Sequence, residues 1–325
     1  MIKSMRRAAG DREAFKAKLR KKIMGSREKN GILMNIVVYT LLISIGFIYL
    51  YPLLHMLATS FMRPEDILDS GVRWIPSTLH LSNYRSALLV MDYWNSLWKN
   101  LQIAFLPTLL QIVSTSMAGY AFARYNFPLK KFWLAVLIFS FVIPPQITMI
   151  PTFVLYSDLN LIGSIWVFIV PSLLGQGFMS AIFIMIFYNF HRQVPQSLIE
   201  AAEIDGAGHI SSFFRISMPL AVPALVVTTL FSFVWYWNEI FLVDLFLGPG
   251  TDRHDGLTTL MLELQRFQDS HGAAFAGAGA TTPDPINEAL RMAGTMISIL
   301  PLIILYLILQ RQFVQSIDKA GITGE

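Results

Sequence analysis

"EAAEIDGAGHISSFFRISMP", residues 200–219, interrupts a chain that is otherwise dominated by Phe, Leu and Ile. Three acids (Glu200, Glu203 and Asp205) fall within six residues, and Gly206, Gly208, Arg215 and Pro219 follow. The surroundings decide what such a block can be. Of 325 residues, 54% are hydrophobic and only 14% charged, against about 25% charged in an ordinary soluble domain. Residues 159–191 before the block and 216–238 after it lack Asp, Glu, Lys and Arg. Each run exceeds the ~20 apolar residues that a helix needs to cross a bilayer. The block therefore reads as a polar connection between two membrane spans.

Working outward, six such uncharged stretches occur: 30–62, 100–123, 132–157, 159–191, 216–238 and 292–310. They place spans near 33–59, 97–121, 133–155, 164–188, 219–243 and 291–311 in one domain, 31–325. The apolar runs are continuous rather than alternating, which argues against a membrane barrel and for an all-α polytopic membrane protein with six transmembrane helices. Residues 3–29 carry eleven basic residues opposed by Asp11, Glu13 and Glu28. Beside a long apolar run, such a segment reads as a cytoplasmic tail, 1–30, rather than a nucleic-acid arm. The first apolar run is too long for the core of a cleaved signal peptide. Six spans put both termini inside. The loop "RYNFPLKK" (124–131) is then inside with Arg124, Lys130 and Lys131, and the acid-rich 247–289 is outside, as is 61–96. The loop charges agree with the tail. There is no cysteine, so disulfides and thiolate chemistry are excluded.

Placed on the inner surface as segment 192–218, the block predicts helix, bend, helix. Ser197 and Glu200 have the spacing of a capping box. Leu198, Ile199 and Ala202 supply a short apolar face, and Gly206 and Gly208 offer places for the chain to stop and turn. "HISSFFRIS" resumes an apolar pattern, and Pro219 suits the first turn of the next long helix. Physics alone leaves two readings: a solvated loop, or a compact knob whose small residues dock into a partner's groove.

The spacing is similar to the EAA signature of the membrane subunits of bacterial ATP-binding-cassette importers. Glu200, Ala201 and Ala202 match; Gly206 follows after three residues, Ile216 after nine more, and Pro219 closes the pattern. Met218 stands where Leu is usual, a mild exchange of similar volume. "WIPSTLHLSNYRSAL", "GYAFARYNFP", "IPPQITMIPTF", "FVWYWNEI" and "ILPLIILYLILQRQFV" resemble successive segments of the maltose-type carbohydrate permeases, specifically the six-span partner of a heterodimeric pair. The resemblance implies a type I importer permease fold in the bacterial inner membrane. It implies that this chain forms half of a pathway for a sugar or oligosaccharide with a second permease subunit. Two ATPase subunits carrying ATP and Mg, and an extracytoplasmic solute-binding protein, would complete the assembly. Glu200, Ala201, Ala202, Asp205, Gly206, Ile216 and Pro219 would couple to the ATPase.

The chain should not hydrolyse ATP or hold a cofactor itself: it contains no G-x-x-x-x-G-K-[ST] phosphate loop. No metal site is expected, because His55 and His191 lack partners at ligand spacing. Tyr236, Trp237 and Asn238 in span five could meet a sugar through stacking and amide hydrogen bonds; interhelical hydrogen bonding is the plainer role for Asn238. Pro144, Pro145 and Pro151 predict a kink in span three that exposes Gln146 to a pathway. Ser114, Thr115, Ser116 and Gly119 read as helix-packing positions. The alternative is an ion-driven secondary transporter of a small polar solute, which would want intramembrane acids that the spans scarcely carry.

Overall fold

The computed structural model describes residues 25–26, 29–69, 71, 74–248, 257–267 and 288–322. Most of the basic tail and positions 249–256 and 268–287 of the expected outer loop lie outside these. Apart from a two-residue antiparallel pairing of Gly25–Ser26 (β1) with Lys29–Asn30 (β2), the described residues form helices, turns and connections. They divide into two units, 1–79 and 80–325.

The first unit is dominated by α1 (Ile32–Ser60), 29 residues without a charge. Its large apolar side chains are exposed on all sides, the pattern of a helix meant for a nonaqueous surrounding. The short α2 (Pro64–Leu68) follows. The Asp66 carboxylate accepts hydrogen bonds from the Arg63 and Ser77 N–H groups at 3.3 Å each. The Ser77 hydroxyl, with these two N–H groups and the nearby Arg63 charge, holds the Asp66 carboxyl below its usual range.

The second unit runs α3 (Ser82–Val90), α4 (Tyr93–Arg124), α5 (Lys130–Val142), α6 (Pro145–Asp158), α7 (Trp166–Leu173), α8 (Ser180–Gln193), α9 (Gln196–Ile204) and α10 (His209–Ser212). A π-helical turn, Phe213–Ser217, leads to α11 (Met218–Leu220), α12 (Val222–Trp237), α13 (Phe241–Leu247), α14 (Leu260–Gln265) and α15 (Glu288–Ile322). By length and composition α1, α4 and residues 288–311 of α15 can each cross a bilayer. Two bent pairs can each count as a broken span: α5 with α6, bent by 102°, and 209–220 with α12, bent by 82°.

Three expected spans are therefore not single rods. The third breaks at Ile143–Pro144, where consecutive prolines remove two backbone donors. The fourth is α7 and α8, separated by Leu174–Met179. The fifth stops at Asn238 and resumes as α13.

The unit is organised around α4, which packs against α8, α12 and α7. Its arrangement is inverted relative to a soluble helix. Ser96, Asn100, Thr108, Gln111, Thr115 and Ser116 are buried, while Phe105, Leu109, Val113 and Met117 face outward. Between helices in lipid there is no hydrophobic drive to association, so close packing and interhelical hydrogen bonds hold them together. Gly119 marks the closest approach. A Cβ placed there would lie 2.6 Å from the Phe187 Cβ, 2.8 Å from the Tyr188 amide nitrogen and 2.9 Å from the Ile184 carbonyl oxygen. Two of these neighbours are backbone, so the crossing cannot yield without separating the helices.

Gly119→Leu should destabilise the second unit by on the order of 1–3 kcal/mol, seen as a lower melting temperature of the detergent-solubilised protein. Gly46→Leu in α1, where an added Cβ meets nothing within 4 Å, should melt like the parent. Equal melting of the two variants would contradict the α4–α8 contact.

Candidate functional site

Two places combine exposure with unusual backbone: the polar block around α9, and the break between α7 and α8.

At the first, α9 starts after Pro195, whose extended conformation (ψ 131°) ends the preceding chain, and no side chain caps its N-terminus. The expected Ser197–Glu200 capping box is not formed. With Pro195 at the cap, Ser197 is the second helical residue, two positions too late to serve. The helix start is tied instead from α4: the Arg124 guanidinium donates to the Val194 carbonyl and, at 3.0 Å, to the Gln196 side-chain carbonyl.

The other end closes as a Schellman turn. Gly206 has φ +85°, its N–H bonds the Glu203 carbonyl at 3.0 Å, and the Ala207 N–H bonds the Ala202 carbonyl at 2.8 Å. An added Cβ on Gly206 would meet nothing within 4 Å, so the backbone angle, not crowding, demands glycine.

The inner face of α9 is Ile199 (4% exposed) and the half-buried Ala202. Leu198, expected on that face, is 45% exposed, because neighbouring residues on a helix point about 100° apart. The outer face presents Glu200, Ala201, Asp205 and Ile204, the last 86% exposed. Sequence reasoning missed Ile204, although its position four residues after Glu200 puts it on the same face.

Beyond the turn, α10 and the π-helical turn return to the bundle around His191. This ring is fully buried. Its Nδ1 lies 2.8 Å from the Ser217 Oγ and its Nε2 3.2 Å from the Ser116 Oγ. Tyr120 meets it edge-on, and Phe187 stacks on it. Sequence reading left His191 unpartnered and gave Ser116 a packing role; together they join α4, α8 and the segment leading out of the block. Ile216 is half-buried and Pro219 exposed. Pro219 does not open the next long helix: it lies in α11, before the 82° bend, and α12 opens at Val222 with Pro223 in its first turn. Pro223, not Pro219, sits where the missing donor does no harm.

At the second place the chain unwinds over Leu174–Met179. Gly175 (φ +71°) and Met179 (φ +58°) adopt left-handed conformations. Each exposed peptide group in a low-dielectric surrounding needs a partner, and side chains from two helices, α4 and α12, supply them. The Tyr236 Oη accepts from the Phe178 N–H at 3.0 Å and lies 2.8 Å from the Ser172 Oγ. The Gln111 amide donates to the Phe178 carbonyl at 2.6 Å and to the Ser180 Oγ at 2.8 Å. The Ser114 Oγ donates to the Ser172 carbonyl at 2.6 Å, and Ser232 donates to the Gln111 Oε1 at 2.9 Å. Gly177 fits because a Cβ there would lie 2.7 Å from both the Ser172 Oγ and the Tyr236 Oη.

A cavity of about 450 Å³ opens beside this break, walled by α5, α6, α7, the start of α8, α12, α13 and the break itself. Of the residues expected along a pathway, Tyr236 lines it. Gln146 is exposed but outside the lining, Asn238 is exposed with its amide donating to the Val234 carbonyl at 2.9 Å, and Trp237 is buried against Phe233. The break was missed because 159–191 is uncharged throughout; Gly175, Gln176 and Gly177 in succession were its visible signal.

The family model described as binding-protein-dependent transport system inner membrane component matches residues 111–319. The arabinooligosaccharides transport system permease protein AraQ of Halalkalibacterium halodurans is 28% identical, over 86% of this chain and 93% of its own. The polygalacturonan/rhamnogalacturonan transport system permease protein YtcP of Bacillus subtilis is 25% identical, over 90% and 99%. A chain in the crystal structure of a bacterial transporter involved in import of the acidic polysaccharide alginate shares the fold, with TM-score 0.69 and 23% identity over 89% of this chain and 98% of that one.

Three substitutions test the geometry. Gly206→Ala should strain the Schellman turn by about 1–2 kcal/mol and speed amide exchange through 196–204. Gly208→Ala, at φ −71°, should not. Tyr236→Phe removes the acceptor of the Phe178 N–H and should cost about 1–3 kcal/mol, read as a lowered melting temperature. An unchanged melt would argue against the hydroxyl network as the support of the break.

Proposed function

We propose a function from one premise: the chain belongs to the family of binding-protein-dependent transport system inner membrane components. It is a permease subunit of an importer, and family membership favours this over an ion-driven secondary transporter. The proposal is that it couples to a separate ATPase through α9 and imports a carbohydrate.

The observation that carries the coupling role is the construction of α9. Its outer face offers a carboxylate (Glu200), a small residue permitting close approach (Ala201), an exposed apolar side chain (Ile204) and a second carboxylate (Asp205). Its inner side is bound into the bundle by Ile199 and Arg124, with the His191 cluster holding the segment that follows. An exposed knob rigidly attached to a helix bundle suits the transmission of a push or pull. Ala202 supports the close fit of α9, Gly206 its end, and Ile216 and Pro219 the return to the bundle.

The source of that movement is an ATPase pair binding ATP and Mg, since this chain has no phosphate loop. A second permease subunit completes the pathway, with Tyr236 and the exposed Gln146 and Asn238 as this chain's contribution to its wall, and an extracytoplasmic binding protein delivers the solute. The loop charges favour both termini on the cytoplasmic side. Carbohydrate as the cargo rests on the names of relatives, which include a neutral pentose oligosaccharide and acidic uronate polymers.

The double variant Glu200→Ala, Gly206→Pro should uncouple the transporter. Proline cannot adopt the +85° φ of Gly206 and has no N–H for the Glu203 carbonyl. Solute uptake into vesicles containing the complete transporter should fall at least tenfold while the subunits still co-purify. Undiminished uptake would sink the coupling assignment.

A further inference from the structure

The cavity beside the Leu174–Met179 break has a composition that selects ligands. None of its lining residues is Asp, Glu, Lys, Arg or His. Its polar groups are hydroxyls and an amide, among them Ser140, Thr148, Thr152 and Gln176. Aromatic rings, including Phe141 and Tyr156, form much of the rest. The Gln176 side chain is exposed and is hydrogen-bonded to no other described side chain, whereas the break that carries it is pinned by Gln111, Ser172 and Tyr236. The wall is therefore preorganised while its amide is left for something else. Its volume, about 450 Å³, falls in the usual range for small-molecule sites. Irregular backbone at membrane depth is tolerated where it lines a cavity, and this break lines one.

From this we infer that the cavity is a binding site for an uncharged sugar unit, with Gln176 and Thr152 hydrogen-bonding its hydroxyls and the rings covering its C–H faces; the inference rests on the carbohydrate-import reading. A uronate is disfavoured because its carboxylate would lose water and meet no cation in this wall. A hydroxyl can exchange water for an amide or hydroxyl partner without that penalty, and apolar C–H surface gains by leaving water for a ring face. The site thus separates neutral sugars, such as the arabinooligosaccharides in one relative's name, from acidic ones, such as the polygalacturonan in another's.

The test uses the assembled transporter, both permease subunits with the ATPase pair, in detergent and without the binding protein. Equilibrium dialysis would measure radiolabelled arabinotriose, maltotriose, raffinose and trigalacturonate. At least one neutral trisaccharide should bind, and trigalacturonate should not. Gln176→Ala should weaken neutral binding about tenfold, Gln176→Asn should restore part of it, and Thr152→Val should weaken it several-fold, with melting temperatures unchanged. Trigalacturonate binding as tightly as any neutral sugar would overturn the inference. So would unaltered affinity in Gln176→Ala, absence of neutral binding, or failure of Gln176→Ala to assemble with its permease partner, which would make the cavity a subunit interface. ATP-driven uptake of any of these sugars by vesicles with the binding protein added keeps the carbohydrate reading even then. No uptake of any sugar removes both.

Discussion

A peptide group withdrawn from water must find a hydrogen-bond partner, and the second unit is built around one place where the helix cannot supply it. Between Leu174 and Met179 the backbone leaves the helix. Gln111 from α4 and Tyr236 from α12 reach across to satisfy Phe178 from both sides. These side chains must converge to within about 3 Å of fixed positions, so they set the spacing of α4, α7, α8 and α12 together. The buried polar stripe of α4 is a consequence. Lipid offers nothing to polar groups, so they turn inward and become the cement between helices. Gly119 serves the same end by allowing α4 and α8 to approach closely.

The same economy of partners shapes the polar block. Its first helix has no side-chain cap, and the nearby carbonyl of Val194 is met by Arg124 from another element. Its last carbonyls are met by its own chain, through the left-handed turn at Gly206. One end of α9 is thus held by tertiary structure and the other by local backbone. His191 then ties the outgoing segment to α4 through two hydroxyls, Ser217 and Ser116. A displacement of α9 has two stiff routes into the bundle, which is what the proposed coupling role requires.

Much of the architecture was legible in the chain itself. Uncharged stretches are long enough to read directly, and α1, α4 and α15 fall where they were expected. So do the turn at Gly206 and the kink at Pro144, because glycine and proline act through their own covalent geometry. Less legible were features that depend on a distant partner. Nothing local distinguishes Ser197, which caps nothing, from a capping serine; the outcome turned on Pro195 and Arg124. Likewise Ser116 and Ser114 look like equal packing residues. One meets His191 and the other a carbonyl of the broken helix.

The amino-acid sequence by itself determined the class of the molecule, the polar block from Glu200 to Pro219 with its resemblance to a family signature, and the positions where the backbone must turn. These follow from composition, spacing and single-residue stereochemistry. Only the tertiary structure decided that α7 and α8 are separate, that Tyr236 faces a cavity while its neighbour Trp237 is packed away, and that Ile204 stands exposed beside Glu200. Those outcomes depend on which groups meet across the bundle. Residues far apart in the chain must come within hydrogen-bonding or van der Waals distance before an amide, a hydroxyl or a ring acquires its role.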